Sequence, residues 1–265
     1  MALTESLKQN FKFEDNQKNF EICFYNQPIT FSTDELNWEP RNISTETEEM
    51  WLIKLHSFDW LNDENSSNIS EKMASYLILD WLSKYGDEHS KSWEPYTLSR
   101  RLISWEKWLS SNQISPELPS LIKLSVSQQL KRLFVDFEFY NPGNELIENI
   151  RGFLSGCCLL INSSQYFNNE LEFQLEQVID EAINQLNLQI FKDGAHFERS
   201  PYYHCKVLEA LKDIKKLAEH ISKQGFLISD ILEKANNLAI LCREKLELMS
   251  KWLEKLTFSY GEICQ

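Results

Sequence analysis

From Glu48 onward, apolar residues recur every three or four positions over long stretches, the spacing that gives a helix one buried face. The pattern predicts a helix opening at Glu48 in EEMWLIKLHSFDWL, then segments over 69–84, 95–110, 116–139, 142–161, 168–190, 201–223 and 228–256. Short connections join all eight. Residues 1–45 are polar and mixed, and within them KNFEICFY and QPITFS read as short strands or extended segments before Pro40. No group of residues returns at a fixed period, so a stacked-repeat solenoid is not supported.

Three alternate helical segments open on proline: WEPYTLSRR at Pro95, YNPGNELIEN at Pro142 and RSPYYHCKVL at Pro201. Proline suits the first helical position, where its missing N–H needs no partner, and Asn141 and Ser200 are good N-caps before it. Between them, helices beginning near Pro116 and Asn168 carry ordinary amphipathic patterns such as LEFQLEQVIDEAINQL. If short connections make neighbours antiparallel, the proline-led helices run parallel and bring their N-termini to one rim. Such a rim gathers unpaired N–H groups and the positive ends of helix dipoles, a setting for a carboxylate or sulfate.

Composition narrows the class. Seven glycines and seven prolines in 265 residues are too few for the many tight turns of an all-β sandwich, and the Leu-, Glu-, Lys- and Gln-rich stretches favour helix. A 42% hydrophobic content over this length suits one large domain. No stretch reaches the roughly 18 to 20 apolar residues of a membrane span, and the first twenty residues lack the apolar core of a signal peptide. The expectation is a cytoplasmic protein, or a periplasmic one if the N-terminus is incomplete. Cys23, Cys157, Cys158, Cys205, Cys242 and Cys264 fall at no metal-ligand spacing, and several sit among apolar helical residues as small hydrophobes. A net charge of −13 argues against sequence-independent nucleic-acid binding. An anionic polymer would likewise need a local positive field to hold it.

Several clusters could carry chemistry. Asn144 and Glu148, four apart, share a helical face just after Pro142, with Glu145 between them; at a helix start the same residues also serve as capping and dipole-matching groups. The stretch DGAHFERSPYYHCKVLEAL crowds His196, Glu198, Arg199, Tyr202, Tyr203 and His204 into a loop-to-helix junction, where rigid scaffolds commonly present functional groups. A capped helix start with Tyr and His packed at the domain edge gives the same pattern. His56 lies among the apolar residues of WLIKLHSFDWL, a setting more often that of a satisfied interior histidine than of a catalyst. In SWEPYTLSRRLISWEKW, Trp93, Tyr96, Arg100 and Arg101 stand at the first proline-led helix, where aromatics can stack on sugar rings and arginine forks can pair with acidic groups. Trp105 and Trp108 suit core packing.

The strings WLIKLHSFDWL, WEPYTLSRR, GNELIEN and DGAHFERSPYYHCKVLE, in that order between Trp51 and Glu209, resemble successive motifs of the heparinase II/III-like N-terminal domain. MSKWLEKLTFSYGEI resembles the segment that leads out of that domain. The resemblance implies an all-α fold, an incomplete (α/α) toroid of antiparallel helix pairs over 46–265, with 1–45 as a short irregular or β-containing segment packed on it. It also implies a polysaccharide lyase acting by β-elimination on a uronate-containing acidic polysaccharide, without metal or cofactor. Asn144 then matches the asparagine that polarises the sugar carboxylate, and Tyr203 the tyrosine that serves as acid and base. An amide donor stabilises charge developing on the enolate-like intermediate without titrating, and a phenol, with an ordinary pKa of about 10, can shuttle a proton if positive groups lie near. Arg199 and His204 are the nearest candidates for that tuning. His56, Tyr96, Arg101, Glu148, His196, Glu198, Arg199, Tyr202 and His204 become the expected substrate-binding set.

Two departures stand out. Glu145 follows the motif asparagine where family members commonly carry histidine, and the chain ends at Gln265, before the family's β-sandwich domain with its further catalytic histidine or tyrosine. A separately encoded β-sandwich domain is therefore an expected partner. Two other functions stay open: a non-catalytic acidic-polysaccharide-binding protein, and a toroidal glycoside hydrolase using two of Glu148, Asp193 and Glu198 as paired carboxylates.

Overall fold

Alternating apolar residues in NFEICF and QPITFS produce the first element, a hairpin. The computed structural model describes residues 19–32, 36–39, 47–62, 70–85, 91–111, 117–137 and 143–256, with backbone alone at 117–119. In it β1 (Asn19–Phe24) and β2 (Gln27–Ser32) pair antiparallel, Asn19 opposite Ser32 and Phe24 opposite Gln27. The two turn residues, Tyr25 and Asn26, have φ of 54° and 59°, the double left-handed conformation whose twist matches a two-residue hairpin. Phe20, Ile22 and Phe31 are buried from this hairpin, and Trp51 takes it up: its ring lies 5.0 Å from Phe24 and its Nε1 donates to the Gln27 carbonyl.

Eight α-helices follow among the described residues: α1 (Glu48–His56), α2 (Glu71–Tyr85), α3 (Pro95–Ser111), α4 (Glu117–Val135), α5 (Asn144–Leu160), α6 (Asn169–Gln189), α7 (Pro201–Ile221) and α8 (Ser229–Glu254). The expected eight segments and the two N-terminal strands are thus present. The first helix departs most from its expected bounds. Periodicity carried it through Leu61, but Phe58 takes φ 57° and sends a fully buried ring into the core, so α1 stops at His56 and a 3-10 turn, Asp59–Asn62, follows. Pro40, Pro116, Asn141, Pro142, Cys264 and the expected boundary at 45/46 lie outside the described residues. Among the described residues no helix is long and apolar enough to cross a membrane.

The chain divides into two compact units, 1–132 and 133–265. In the first, Phe58 sits within 6 Å of the rings of Trp38, Trp60, Trp81 and Trp105, and the Arg101 guanidinium lies 4.3 Å above Trp81. In the second, side-chain contacts fix helix directions. Gly143 at the start of α5 meets Gln189 at the end of α6, and His204 early in α7 meets Met249 late in α8. Lys234 bridges Glu176 and Asp180, while Lys245 farther along α8 reaches Ile190, so α6 and α8 run parallel. The same test makes α5 and α7 parallel: their N-termini share one end, and Arg151 deeper in α5 pairs with Asp213 deeper in α7.

Candidate functional site

The end of the second unit where α5 and α7 begin and α6 stops is built around one tight turn. Ile190 pairs with His196, the Phe191 N–H donates to Ala195 at 2.9 Å, and the Phe197 N–H donates to Gln189 at 2.9 Å. Gly194 makes the reversal at φ 93°. Asp193 Oδ1 accepts from the Ala195 N–H within the turn, and Lys245 from α8 donates to the Ile190 carbonyl at 3.0 Å, placing a cation beneath it. Burial lowers the pKa of that lysine. The chain then passes through Arg199, itself left-handed at φ 54°, into α7, whose N-cap Ser200 accepts from the Tyr203 N–H and whose first residue is Pro201. At the neighbouring start, α5 has Gly143 as an extended N-cap and Asn144 as its first residue.

A chain of hydrogen bonds ties these starts together. Gln189 Nε2 donates to the Gly143 carbonyl at 3.3 Å and to Gln185 Oε1 at 2.8 Å. Both contacts demand a donor, so Gln189 Oε1 is left to accept from His196 Nε2 at 3.1 Å, and the His196 proton belongs on Nε2. Its Nδ1 is buried without a hydrogen-bond partner and faces Glu198 Oε2 at 3.8 Å. Burial lowers the His196 pKa, against the raising influence of Glu198, with His204 adding to the lowering. The Glu198 carboxylate in turn lies against Asn144: Nδ2 approaches Oε1 at 3.5 Å and Oε2 at 3.4 Å, and the backbone N–H approaches Oε1 at 3.4 Å. Asn144, His196 and Glu198 therefore form one cluster. Gln189, which sequence reasoning missed, orients it. Its signal was present: Gln185 and Gln189 fall on the buried stripe of an otherwise apolar helix face.

Other expected site residues take different surroundings. Tyr203, on the first turn of α7, is 40% exposed, and Tyr202 is more exposed, edge-on to it at 5.4 Å with Lys206 over its ring. Arg199 is exposed. His204 turns inward, its Nε2 on the Met249 carbonyl at 3.0 Å and its ring 4.6 Å from Trp252, and burial lowers its pKa. Glu148 is buried in a bond to Arg151 at 2.9 Å, and Arg151 also binds Asp213.

His56, Tyr96 and Arg101 belong to the first unit. His56 Nδ1 accepts from Trp81 Nε1 at 3.0 Å, and burial together with the Arg101 charge pulls its pKa down to about 3. Arg101 has no exposed surface: it donates to Gln129, to the His56 carbonyl and to the Ser92 carbonyl, and burial draws its pKa to about 9. Arg100 instead grips Asp59 at 2.9 Å, and Tyr96 is half-buried. His56 also lines an acidic cleft of about 260 Å³ with Glu48, Glu49, Tyr85 and Lys91. A second cavity, about 480 Å³, lies between Phe167 and Phe226 in the second unit. Neither is lined by Asn144 or Tyr203. Among the described residues no group of three His, Cys, Asp or Glu is placed to hold a metal ion.

The family model described as "Heparinase II/III N-terminus" matches residues 2–241. Among solved structures, a heparan sulfate lyase HepC mutant from Pedobacter heparinus aligns over 98% of this chain and 39% of its own, with 16% identity and a TM-score of 0.62. A heparinase III with methylated lysines aligns over 97% and 41%, at 17% identity and a TM-score of 0.56. Another heparinase III aligns over 97% and 43%, at 16% identity and 0.55. Likeness at this level is a likeness of fold, and it agrees with the all-α class and its short N-terminal sheet. The chain spans about two fifths of the length of these structures. Comparison with curated protein sequences returns no match.

Proposed function

Since the chain belongs to the heparinase II/III N-terminus family, we propose that it is the helical portion of a polysaccharide lyase that cleaves a uronate-containing polymer by β-elimination. One observation carries the reading: a carboxylate, that of Glu198, already rests on the Asn144 amide at the positive end of α5. A uronate carboxylate in that position would have its charge neutralised, which acidifies the neighbouring sugar proton. The Asn144 amide then stabilises the enolate-like charge that develops. Tyr203, exposed one turn into α7, takes the proton and returns one to the leaving glycosidic oxygen. Tyr202 and Arg199, exposed beside it, offer a ring face and a fork-shaped cation to adjoining sugars.

The test is direct. The chain, alone and mixed with a β-sandwich domain taken from a heparinase relative, is incubated with heparan sulfate and with alginate, and unsaturated uronide ends are followed by ultraviolet absorbance. Product is expected, and Tyr203→Phe should reduce its rate by at least about a hundredfold, the usual scale of a lost general acid–base group. Full activity in Tyr203→Phe removes that residue from the mechanism. A second reading, a non-catalytic binder of acidic polysaccharide, is favoured by the placement of Asn144 and Tyr203, which line neither of the two cavities described above. Oligosaccharide binding with no turnover in either mixture selects it.

A further inference from the structure

We propose that Glu198 is a tethered occupant of the anion seat at the start of α5, which an incoming carboxylate-bearing sugar must displace to reach Asn144. The inference rests on the reading of Asn144 given above and concerns how access to it is controlled. Both Glu198 oxygens approach the Asn144 side-chain amide, and one also approaches its backbone N–H, the arrangement a bound carboxylate would adopt at a helix N-terminus. Gly143 makes room for it: a Cβ there would lie 2.7 Å from Glu198 Oε1.

The seat has a second wall. His196 Nδ1 points into it from a side chain with no exposed surface, and no hydrogen bond satisfies it. Because Gln189 fixes the ring proton on Nε2, a neutral His196 presents only a lone pair to the Glu198 carboxylate, which also has only lone pairs to offer. Glu198 is therefore a poor match for half of its own surroundings. Its contacts with Asn144, 3.4 to 3.5 Å, lie at the long limit of hydrogen bonding. A uronate presents the same carboxylate to Asn144 and adds what Glu198 lacks, a ring hydroxyl able to donate to Nδ1. The displaced side chain has an exit, being 23% exposed and joined to Arg199, whose left-handed backbone is a strained joint able to relax as Glu198 swings outward. Neutral sugars carry no anion to exchange and leave Glu198 in place.

Titration of the full chain with D-glucuronate and with its uncharged methyl ester, followed by calorimetry and by the Asn144 side-chain amide resonance, tests the idea without any need for turnover. Glu198→Ala, which empties the seat, should bind glucuronate at least tenfold more tightly than wild type. Glu198→Gln, which keeps the shape and loses the charge, should fall between them, and the ester should show no gain in either. Adding Asn144→Ala to Glu198→Ala should abolish the gain. Equal or weaker glucuronate binding by Glu198→Ala overturns the inference, as does absence of measurable binding by all three proteins. Tighter binding by Glu198→Ala in a chain that never cleaves a polymer retains the inference and removes the lyase reading. The opposite pair of results removes the inference alone.

Discussion

At the scale of single residues, two glycines at the same end of the second unit make opposite demands. Gly194 sits at φ 93°, and a Cβ on it would fall 2.2 Å from the backbone oxygen of Leu248, so both conformation and space exclude a side chain. Gly194→Ala should destabilise the protein by about 2 kcal/mol or more, measured as a lower urea midpoint with an unchanged slope. At Gly143 a Cβ meets only the far end of the Glu198 side chain, which can move. Sequence alone could nominate the segments that hold Asn144 and Glu198, through the proline-led helix starts and the crowding of polar residues in DGAHFERSPYY. It could not reveal that the two meet, because they are 54 positions apart and no spacing rule links them. Nor could it separate Arg100 from Arg101. Adjacent on one helix, they differ by a rotation of about 100°, which sends Arg101 into the tryptophan cluster and leaves Arg100 on Asp59.

At the scale of elements, α5 shows how far a periodic pattern carries. NELIENIRGFLSGCCLL was legible as a helix, since its apolar residues recur at helical spacing, yet every residue from Leu146 to Cys157 is buried, charged ones included. Amphipathic spacing anticipates one wet face; α5 has none over this span, because α7 brings Asp213 to its polar side to pair with the buried Arg151, the more exposed Glu209 lying 3.6 Å away. Arg151 holds Glu148 and Asp213 together with 1% of its side chain exposed. Arg151→Met should therefore cost about 3 kcal/mol, since it removes the buried cation that Glu148 and Asp213 share. Chemical denaturation of the variant measures it. A loss under about 1 kcal/mol would mean that the pair is well solvated. The broken first helix was not legible for a related reason: the left-handed Phe58 is set by where its ring finds space among four tryptophans, which is tertiary information.

At the scale of the whole molecule, three buried histidines give stability a common pH dependence. His56 is held near a pKa of about 3, and burial also lowers His196 and His204. Each folded-state value lies below the ordinary 6.5 of an unfolded chain, so below that pH the unfolded state binds protons that the folded state refuses. Stability is therefore full above pH 6.5 and declines as pH falls, by up to about 1.4 kcal/mol per pH unit for each histidine that stays neutral. Unfolding free energies at pH 7.5, 6.0 and 5.0 should fall in that order, and His56→Gln should flatten the decline. A flat profile would show that these rings take up protons while folded. The wholly enclosed middle of α5 bears on motion as well as on stability. Backbone amides there can reach solvent only when the helices around them part, so the amide hydrogens of Leu146 to Cys157 should exchange with solvent far more slowly than those of exposed Lys192 and Asp193 in the neighbouring turn.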